Sequence, residues 1–202
     1  MDRRNLLLNT VALLIAGTPS SVFGAALNGI KISKSDHVLG LRTAPLAVIE
    51  YASLTCPYCA SFHNKTLPQI AKRWISTGRM SLTFRHYPLD GMSLRAALVA
   101  EAIEHEKTFF DFISKLFAHQ DAWTKTHNST DYLINMAMEF GMPLERAKMA
   151  LNDKEIMRRV LTGLVSARDE LNVKSTPTFF INDQMYPGLI EYDDFVRVLD
   201  SF

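Results

Sequence analysis

The residues best suited to chemistry are two cysteines that stand three positions apart, Cys56 and Cys59. On one turn of a helix, this spacing brings the sulfur atoms close enough for a strained small-ring disulfide. Cys56 would lie at the helix N-terminus, where unpaired N–H groups and the helix dipole favour an anion, so its thiol pKa should be depressed. Pro57 suits the first helical position, because no N–H bond is lost there. The pair is therefore predicted to be redox-active.

Two other uses of these cysteines stay open. A structural disulfide is one, although this spacing closes too small a loop to constrain the unfolded chain strongly. A zinc site is the other, with His63 one turn beyond Cys59 as a third ligand. The sequence has no second cysteine pair and no histidine pair at ligand spacing. No metal and no other cofactor is expected.

A buried strand and a helix must position the pair. Residues 46–51 form an apolar run with β-branched side chains, interrupted only by Glu50, and this predicts a buried strand. From residue 57 to about residue 78 the pattern is helical, and Pro68 inside it predicts a kink or a break.

The remaining segments predict one α/β domain with an inserted helical subdomain. Residues 25–44 are predicted to be an irregular lead-in, and residues 80–87 alternate as a strand. Residues 92–172 have helical spacing throughout and form the predicted insertion. A hairpin over residues 177–186 and a helix over residues 192–199 end the domain.

Three further positions could serve the pair. Glu50 in a buried strand must be neutral, paired or functional, unless it points to water at the end of the strand. His63 would lie near Cys59, where an imidazolium would favour a thiolate and modulate the pair; the alternative is a solvated helix histidine. The Thr176–Pro177 bond could be cis, because that form costs an X–Pro bond little, although most such bonds are trans.

The composition excludes several classes of protein. The chain has 202 residues, 48% hydrophobic and 21% charged, with 22 basic and 21 acidic side chains. This is typical of one globular domain, with or without an insertion, and not of a disordered chain. The near-neutral balance provides no basic field, so nucleic acid is not an expected partner.

The first 24 residues predict a secretory signal peptide. Two arginines precede an apolar stretch over residues 6–17, and small residues follow at Gly24 and Ala25. The apolar stretch is shorter than the roughly 20 residues of a membrane-spanning helix. Cleavage near residue 24 and export of residues 25–202 to the periplasm as a soluble domain are therefore expected.

Three segments of the chain together resemble a known family. They are the strand with Glu50, the helix that opens with Cys56-Pro57-Tyr58-Cys59, and Ser175-Thr176-Pro177-Thr178 before a strand. This combination resembles the thioredoxin fold, and the helical block between the segments is similar to the periplasmic disulfide oxidoreductases of the DsbA type. The resemblance covers about residues 36–202.

The resemblance implies roles for these residues. Cys56 would be the nucleophile and Cys59 the resolving thiol, and the two would form a redox-active disulfide. Pro177 would be a cis-proline that faces this disulfide. Glu50, six residues before Cys56, would be the buried acid that exchanges protons with Cys59. The predicted substrate-binding residues are Thr176, Pro177, Pro57 and Tyr58.

The sequence therefore predicts an exported thiol–disulfide oxidoreductase that donates its Cys56–Cys59 disulfide to folding proteins. Pro57-Tyr58 and the Thr176 before the proline differ from the Pro-His and Val of the strongest oxidants, and resemble the isomerase and reductase branch. That branch carries an N-terminal dimerisation domain, for which about 20 residues before the first strand are too few. Reductase or isomerase activity at the same site is one alternative. A redox-independent peptide-binding chaperone is another.

The expected partners follow from this function. They are cysteine-containing exported proteins and, from the family resemblance, a membrane redox partner that re-oxidises the pair. The protein is expected to act as a monomer.

Overall fold

The computed structural model describes residues 30–202, and the predicted signal peptide at residues 1–24 lies outside this range. A five-stranded mixed sheet lies at the centre of the described part, in the strand order β1-β3-β2-β4-β5. The strands are β1 (His37–Leu39), β2 (Leu46–Ala52), β3 (Met80–His86), β4 (Thr178–Ile181) and β5 (Gln184–Pro187). β2 pairs in parallel with β3, and the other pairs are antiparallel.

β2 is the middle strand, and all seven of its residues are buried. Its apolar run suits this place because both faces of the strand are covered. Val48 packs on one face in a cluster with Phe62 and Phe195. Ile49 packs on the other face in a cluster with Ala167. The predicted strand is thus the one that carries Glu50 into the core.

The segment after β2 stays helical through Pro68, and where a kink or a break was predicted the α-helix is interrupted by a change of helix type. It consists of α1 (Pro57–Ser61), a π-helical segment (Phe62–Thr66), α2 (Leu67–Ile70) and a second π-helical segment (Ala71–Ile75). Leu67 donates its N–H to the carbonyl of Phe62, five residues back. Proline has no N–H and would clash with the carbonyl four residues earlier in an α-helix, and the wider π-turn accommodates its ring.

The helices between β3 and β4 form the insertion. They are α3 (Gly91–Glu101), α4 (Glu106–Ala118), α5 (Gln120–Thr124), α6 (Ser129–Glu139), α7 (Leu144–Ala150) and α8 (Lys154–Asp169). Their apolar faces meet in a cluster that contains Phe112 and Trp123, and also Cys56 and Cys59. The insertion therefore packs directly against the cysteine pair, and the predicted α/β fold with an inserted helical subdomain is confirmed.

Within residues 30–202, none of the helices has the length and apolar content that crossing a membrane requires.

Short elements complete the sheet. Asn182 and Asp183 have φ values of 43° and 69°, the conformation of a two-residue turn between twisted strands. The closing helix α9 (Tyr192–Asp200) buries Phe195 and Leu199, as its spacing predicted. The irregular lead-in predicted for residues 25–44 is wrong at His37–Leu39, which pairs with β3. A three-residue edge strand is too short to produce a recognisable alternation.

Candidate active site

The cysteine pair lies where β2 ends and α1 begins. Cys56 is the N-cap of α1, with an extended backbone (φ −77°, ψ 121°), as its position in the sequence predicted. Its N–H donates to the carbonyl of Ser53 at 3.1 Å. The Thr55 hydroxyl donates to the carboxylate of Asp90, the N-cap of α3, at 2.7 Å. Hydrogen bonds on both sides therefore fix the loop that presents Cys56.

Cys56 is held in surroundings that favour its thiolate. The thiol donates a hydrogen bond to the backbone carbonyl of Thr176 at 3.2 Å, and the Thr176–Pro177 bond is cis. A hydrogen bond from the Cys59 thiol is the main cause that lowers the pKa of Cys56 to about 6, against the effect of burial. The Thr176 side chain and the backbone N–H groups of Tyr58 and Cys59 lower this pKa further. The buried Thr176 hydroxyl has no other hydrogen bond in the described residues, so it is available to donate to a thiolate.

The surroundings of Cys59 favour the protonated thiol instead. Its side chain is completely buried, and both cysteines are free thiols in this structure. Burial raises the pKa of Cys59 far above its usual range, and the hydrogen bond with Cys56 and the charge of Glu50 act in the same direction. One thiol of the pair therefore ionises readily, while the other keeps its proton at neutral pH.

Glu50 of β2 and His63 of the first π-helical segment form a buried pair beside Cys59. Glu50 Oε2 lies 2.9 Å from His63 Nε2, and the side chains are 0% and 1% exposed. The rings of Phe84 and Phe117 pack against the imidazole, with centroids 5.7 and 4.3 Å away. Neither side chain reaches water, so the solvated alternatives for both residues are wrong. The sequence placed each residue near the cysteines and did not predict that they bond to each other.

Gln120 of the insertion contacts the site and was not predicted. It donates from Nε2 to the carbonyls of Leu54 and Cys56, at 2.8 and 3.0 Å. These carbonyls belong to the loop and the N-cap that carry the ionisable thiol. Nothing in the sequence marks such a glutamine, because its partners lie 66 and 64 residues away along the chain.

The surface around Cys56 combines the two residues between the cysteines with the loop that contains Thr176 and Pro177, called here the proline loop. Pro57 and Tyr58 face solvent, with Tyr58 62% exposed. Pro177 is buried, and its carbonyl accepts the N–H of Gly188 at 2.7 Å. Gly188 has a φ of 90°, which glycine adopts without strain. The proline loop is therefore held by the residue that follows β5, whereas the Tyr58 side chain is exposed and can contact a partner.

A zinc site at the cysteines has no support in residues 30–202. No group of three or more histidine, cysteine, aspartate or glutamate side chains in this range is arranged to hold a metal ion. His63, the third ligand that zinc would need, bonds to Glu50 through Nε2.

Comparison with known proteins gives the family. A family model described as Thioredoxin matches residues 33–201. The crystal structure of alpha-DsbA1 from Wolbachia pipientis is 30% identical, with a TM-score of 0.81 over 87% of this chain and 94% of that chain. Disulfide bond formation protein D of Bacillus subtilis is 27% identical over 180 residues, which is 87% of this chain and 81% of that protein. A Rickettsia prowazekii protein that carries the name of a protein-disulfide oxidoreductase is 28% identical over 152 residues, 75% of this chain.

The chain therefore belongs to the thioredoxin family, and within it to the DsbA-type proteins. The predicted resemblance and the predicted thioredoxin-like fold are confirmed. The predicted enzyme class, thiol–disulfide oxidoreductase, is the class of these relatives. The chain spans a little over half the length of the Rickettsia relatives that it matches, 56% of the Rickettsia prowazekii protein.

Proposed function

We propose that the protein is exported and donates its Cys56–Cys59 disulfide to cysteine-containing exported proteins. The observation that carries this proposal is the asymmetry of the two thiols, since the pKa of Cys56 is lowered to about 6 and that of Cys59 is raised. A stabilised Cys56 thiolate stabilises the reduced pair, and a disulfide whose reduced form is stabilised is a stronger oxidant. Electrons therefore flow from the substrate to the pair.

Disulfide transfer proceeds in two exchange steps. A substrate thiolate attacks Cys56 Sγ, the Cys56–Cys59 bond breaks, and Cys59 leaves with the electron pair and takes up a proton. A second thiolate of the same substrate then attacks the substrate sulfur of the mixed disulfide and expels Cys56 as a thiolate. The substrate has lost two electrons and gained a disulfide, and the pair holds one thiolate and one thiol.

Glu50 supplies the proton that the leaving Cys59 needs. The charge of Glu50 contributes to the raised pKa of Cys59, which supports a carboxylate close to this sulfur. Glu50 Oε2 is held by His63, whereas Oε1 has no hydrogen bond in the described residues. Oε1 is therefore the atom that passes the proton to Cys59, which leaves Glu50 as the carboxylate of the reduced state, and His63 is a positioning residue that modulates the pair by holding Glu50.

Thr176, Pro177, Pro57 and Tyr58 form the substrate-binding surface. The Thr176 carbonyl accepts the Cys56 thiol in the structure. When Cys56 is bonded to a substrate sulfur it has no proton to donate, so this carbonyl can accept a substrate backbone N–H. The exposed Tyr58 ring supplies apolar contact. A membrane redox partner, inferred from the family, re-oxidises the pair at the same surface, and the protein acts as a monomer.

Reduction or isomerisation at the same site is the second candidate, favoured by Pro57-Tyr58 and by Thr176 before the proline. The reduction potential of the Cys56–Cys59 pair, measured by equilibration with glutathione, separates donation from reduction. We expect about −180 mV or higher, the range of disulfide donors, whereas about −270 mV, the value of thioredoxin, would assign the site to reduction.

The roles of the two cysteines are tested with single serine variants and a reduced substrate protein. Cys59→Ser should accumulate mixed disulfides through Cys56, because the resolving thiol is lost, while the matched Cys56→Ser variant should form few. Equal trapping on non-reducing gels would show that the assignment of nucleophile and resolving thiol is wrong. A Cys56→Ser/Cys59→Ser double variant that keeps full activity in refolding would instead favour a chaperone.

A further inference from the structure

A polar cavity lies at the β1–β3 edge of the sheet, where these strands meet α3 and α8. Its volume is about 320 Å³, and neither cysteine lines it. This lies within the range of about 300–1,000 Å³ of small-molecule sites. Charged and histidine side chains from all four elements line the cavity, so it differs from a packing defect between apolar surfaces.

His86 presents an unpartnered nitrogen in this cavity. Its side chain is 4% exposed, and its Nε2 makes no hydrogen bond within the described residues. Glu101 Oε1 lies 3.5 Å away and forms no hydrogen bond with this nitrogen. Burial lowers the pKa of His86 to about 3, so the ring is neutral and can offer Nε2–H as a donor. Buried polar atoms without a partner are uncommon in folded proteins, and sites that bind an ion are among the places where they occur.

The arginines that line the cavity have more N–H donors than its carboxylates accept from. Arg85 keeps at most one N–H free, because it donates to Asp36 through two nitrogens, to Tyr51 through the third and also to the carbonyl of Lys31. Arg159 donates one N–H to Glu101 Oε2 at 3.2 Å. Since a guanidinium has five N–H donors, Arg159 keeps several for another acceptor.

Arg158 adds a second guanidinium at the rim of the cavity. Its partner Glu155 lies one turn back on the exposed face of α8 and does not line the cavity. Burial raises the pKa of Glu101 to about 7, so this carboxyl readily gives up the charge that would repel an anion. The donors that remain are those that oxyanions accept from most strongly.

Gly163 keeps the cavity open on the side of α8. It lies inside this helix and lines the cavity, and a Cβ placed on it would meet no atom within 4 Å. Glycine is a poor helix former, so the helix itself gives no reason for its presence here. The open space beside Gly163 provides a reason for a glycine at this position.

We propose that this cavity binds a small oxyanion, the size of phosphate or a short carboxylate, through His86 Nε2–H and the guanidinium groups of Arg158 and Arg159. The site is separate from the cysteine pair and does not depend on the proposed disulfide transfer. Binding would give the orphaned imidazole N–H its acceptor and would use the guanidinium donors that Glu101 leaves free.

Two substitutions of Gly163 test the cavity without changing any charge. Both alanine and leucine form helices well, so both variants should fold. Gly163→Ala adds one methyl group in open space and should leave binding unchanged, whereas Gly163→Leu fills the cavity and should abolish it. Inorganic phosphate and succinate, titrated separately into the full chain, are the two probes.

A pair of arginine variants separates the cavity from general surface charge. Arg158→Gln removes a rim cation and should weaken binding by at least about tenfold, the loss of a charge-assisted hydrogen bond. Arg168→Gln removes a cation of the same helix that pairs with Asp169 and does not line the cavity, and it should have no effect.

The readout is the NMR shift of the Gly163 amide and of the His86 ring during each titration. Saturable shifts at both positions with either anion, lost in Gly163→Leu, would support the site and identify which oxyanion it prefers. The proposal is overturned if neither anion moves these signals, or if Arg168→Gln weakens binding as much as Arg158→Gln. Disulfide transfer by Gly163→Leu should equal that of the parent chain in every case, so failure of this site leaves the proposed function intact.

Discussion

Two glutamate–histidine groups in the described part of the chain share their residue types and differ in geometry. Glu50 and His63 are bonded at 2.9 Å, and aromatic rings enclose them beside the cysteine pair. Glu101 and His86 are 3.5 Å apart without a hydrogen bond, and they line a cavity of about 320 Å³.

The difference shows that distance and access decide what such a group can do. The closed pair, Glu50 and His63, can hold or pass a proton to a neighbouring thiol, but it has no room for a ligand. The open group, Glu101 and His86, has room and surplus N–H donors, but neither cysteine lines its cavity. Variants of Glu50 and His63 can therefore be compared with the matching variants of Glu101 and His86.

The largest expected effect is on stability. His63→Phe leaves the buried Glu50 carboxylate without its partner, which should lower the free energy of unfolding by roughly 3–5 kcal/mol. His86→Phe removes no hydrogen bond and keeps the contacts with Phe84 and Phe109, so it should cost less than about 1.5 kcal/mol. Urea melts of the two reduced variants measure both values. Equal losses would remove the distinction between a bonded and an unbonded histidine.

The next effect is on the rate of disulfide transfer. Glu50→Gln keeps the shape of the side chain and a hydrogen bond to His63 but carries no exchangeable acid proton. We expect transfer to a reduced peptide to slow by roughly 10²-fold, the lower end for a positioned acid or base. Glu101→Gln, the matched change in the open group, should leave the rate as it is. If Glu50→Gln is as fast as the parent chain, Glu50 takes no part in moving the proton.

The smallest effect concerns the pH dependence of stability. Folding lowers the pKa of Cys56 from 9.0 to about 6, so its thiolate stabilises the reduced fold fully above pH 9 and loses this contribution as the pH falls through 6. The contribution is about 1 kcal/mol at pH 7 and close to zero at pH 5. Cys59 adds nothing in this interval, because its pKa is raised.

Paired melts of the reduced and oxidised forms at pH 5 and pH 7 isolate this contribution. Glu101, with its pKa raised to about 7, changes stability in the opposite sense, but it does so in both redox forms and cancels in their difference. The advantage of the reduced form should grow between the two pH values. A difference that stays constant would mean that Cys56 does not ionise near pH 6.

The sequence was sufficient where the determining interactions are local. Cys56 at a helix N-terminus, Pro57 inside it and the turn at Asn182 and Asp183 are each set by neighbours a few residues away. The central strand was equally clear, because a short run of apolar, β-branched residues is typical of a strand that is buried on both faces.

The sequence was insufficient where packing brings distant residues together. Glu50 and His63 are 13 positions apart on different elements, and their bond forms only when the helix lies across β2. His86 and Glu101 meet on β3 and α3, and Arg159 joins them from α8, so no spacing in the sequence could show them as a group. The kink or break predicted at Pro68 takes the form of an interruption of the α-helix by a π-helical turn, which removes the clash that would have broken the helix.

The central claim is that the two thiols of one pair ionise very differently, and the pKa of Cys56 tests it most directly. The thiolate absorbance of the reduced protein in the ultraviolet should rise in a step with a midpoint at about pH 6. The Cys56→Ser variant should show no such step, because Cys59 keeps its proton. If both thiols of the reduced protein instead titrate together near pH 9, the usual value for a free cysteine, the asymmetry and the donor function proposed from it are both wrong.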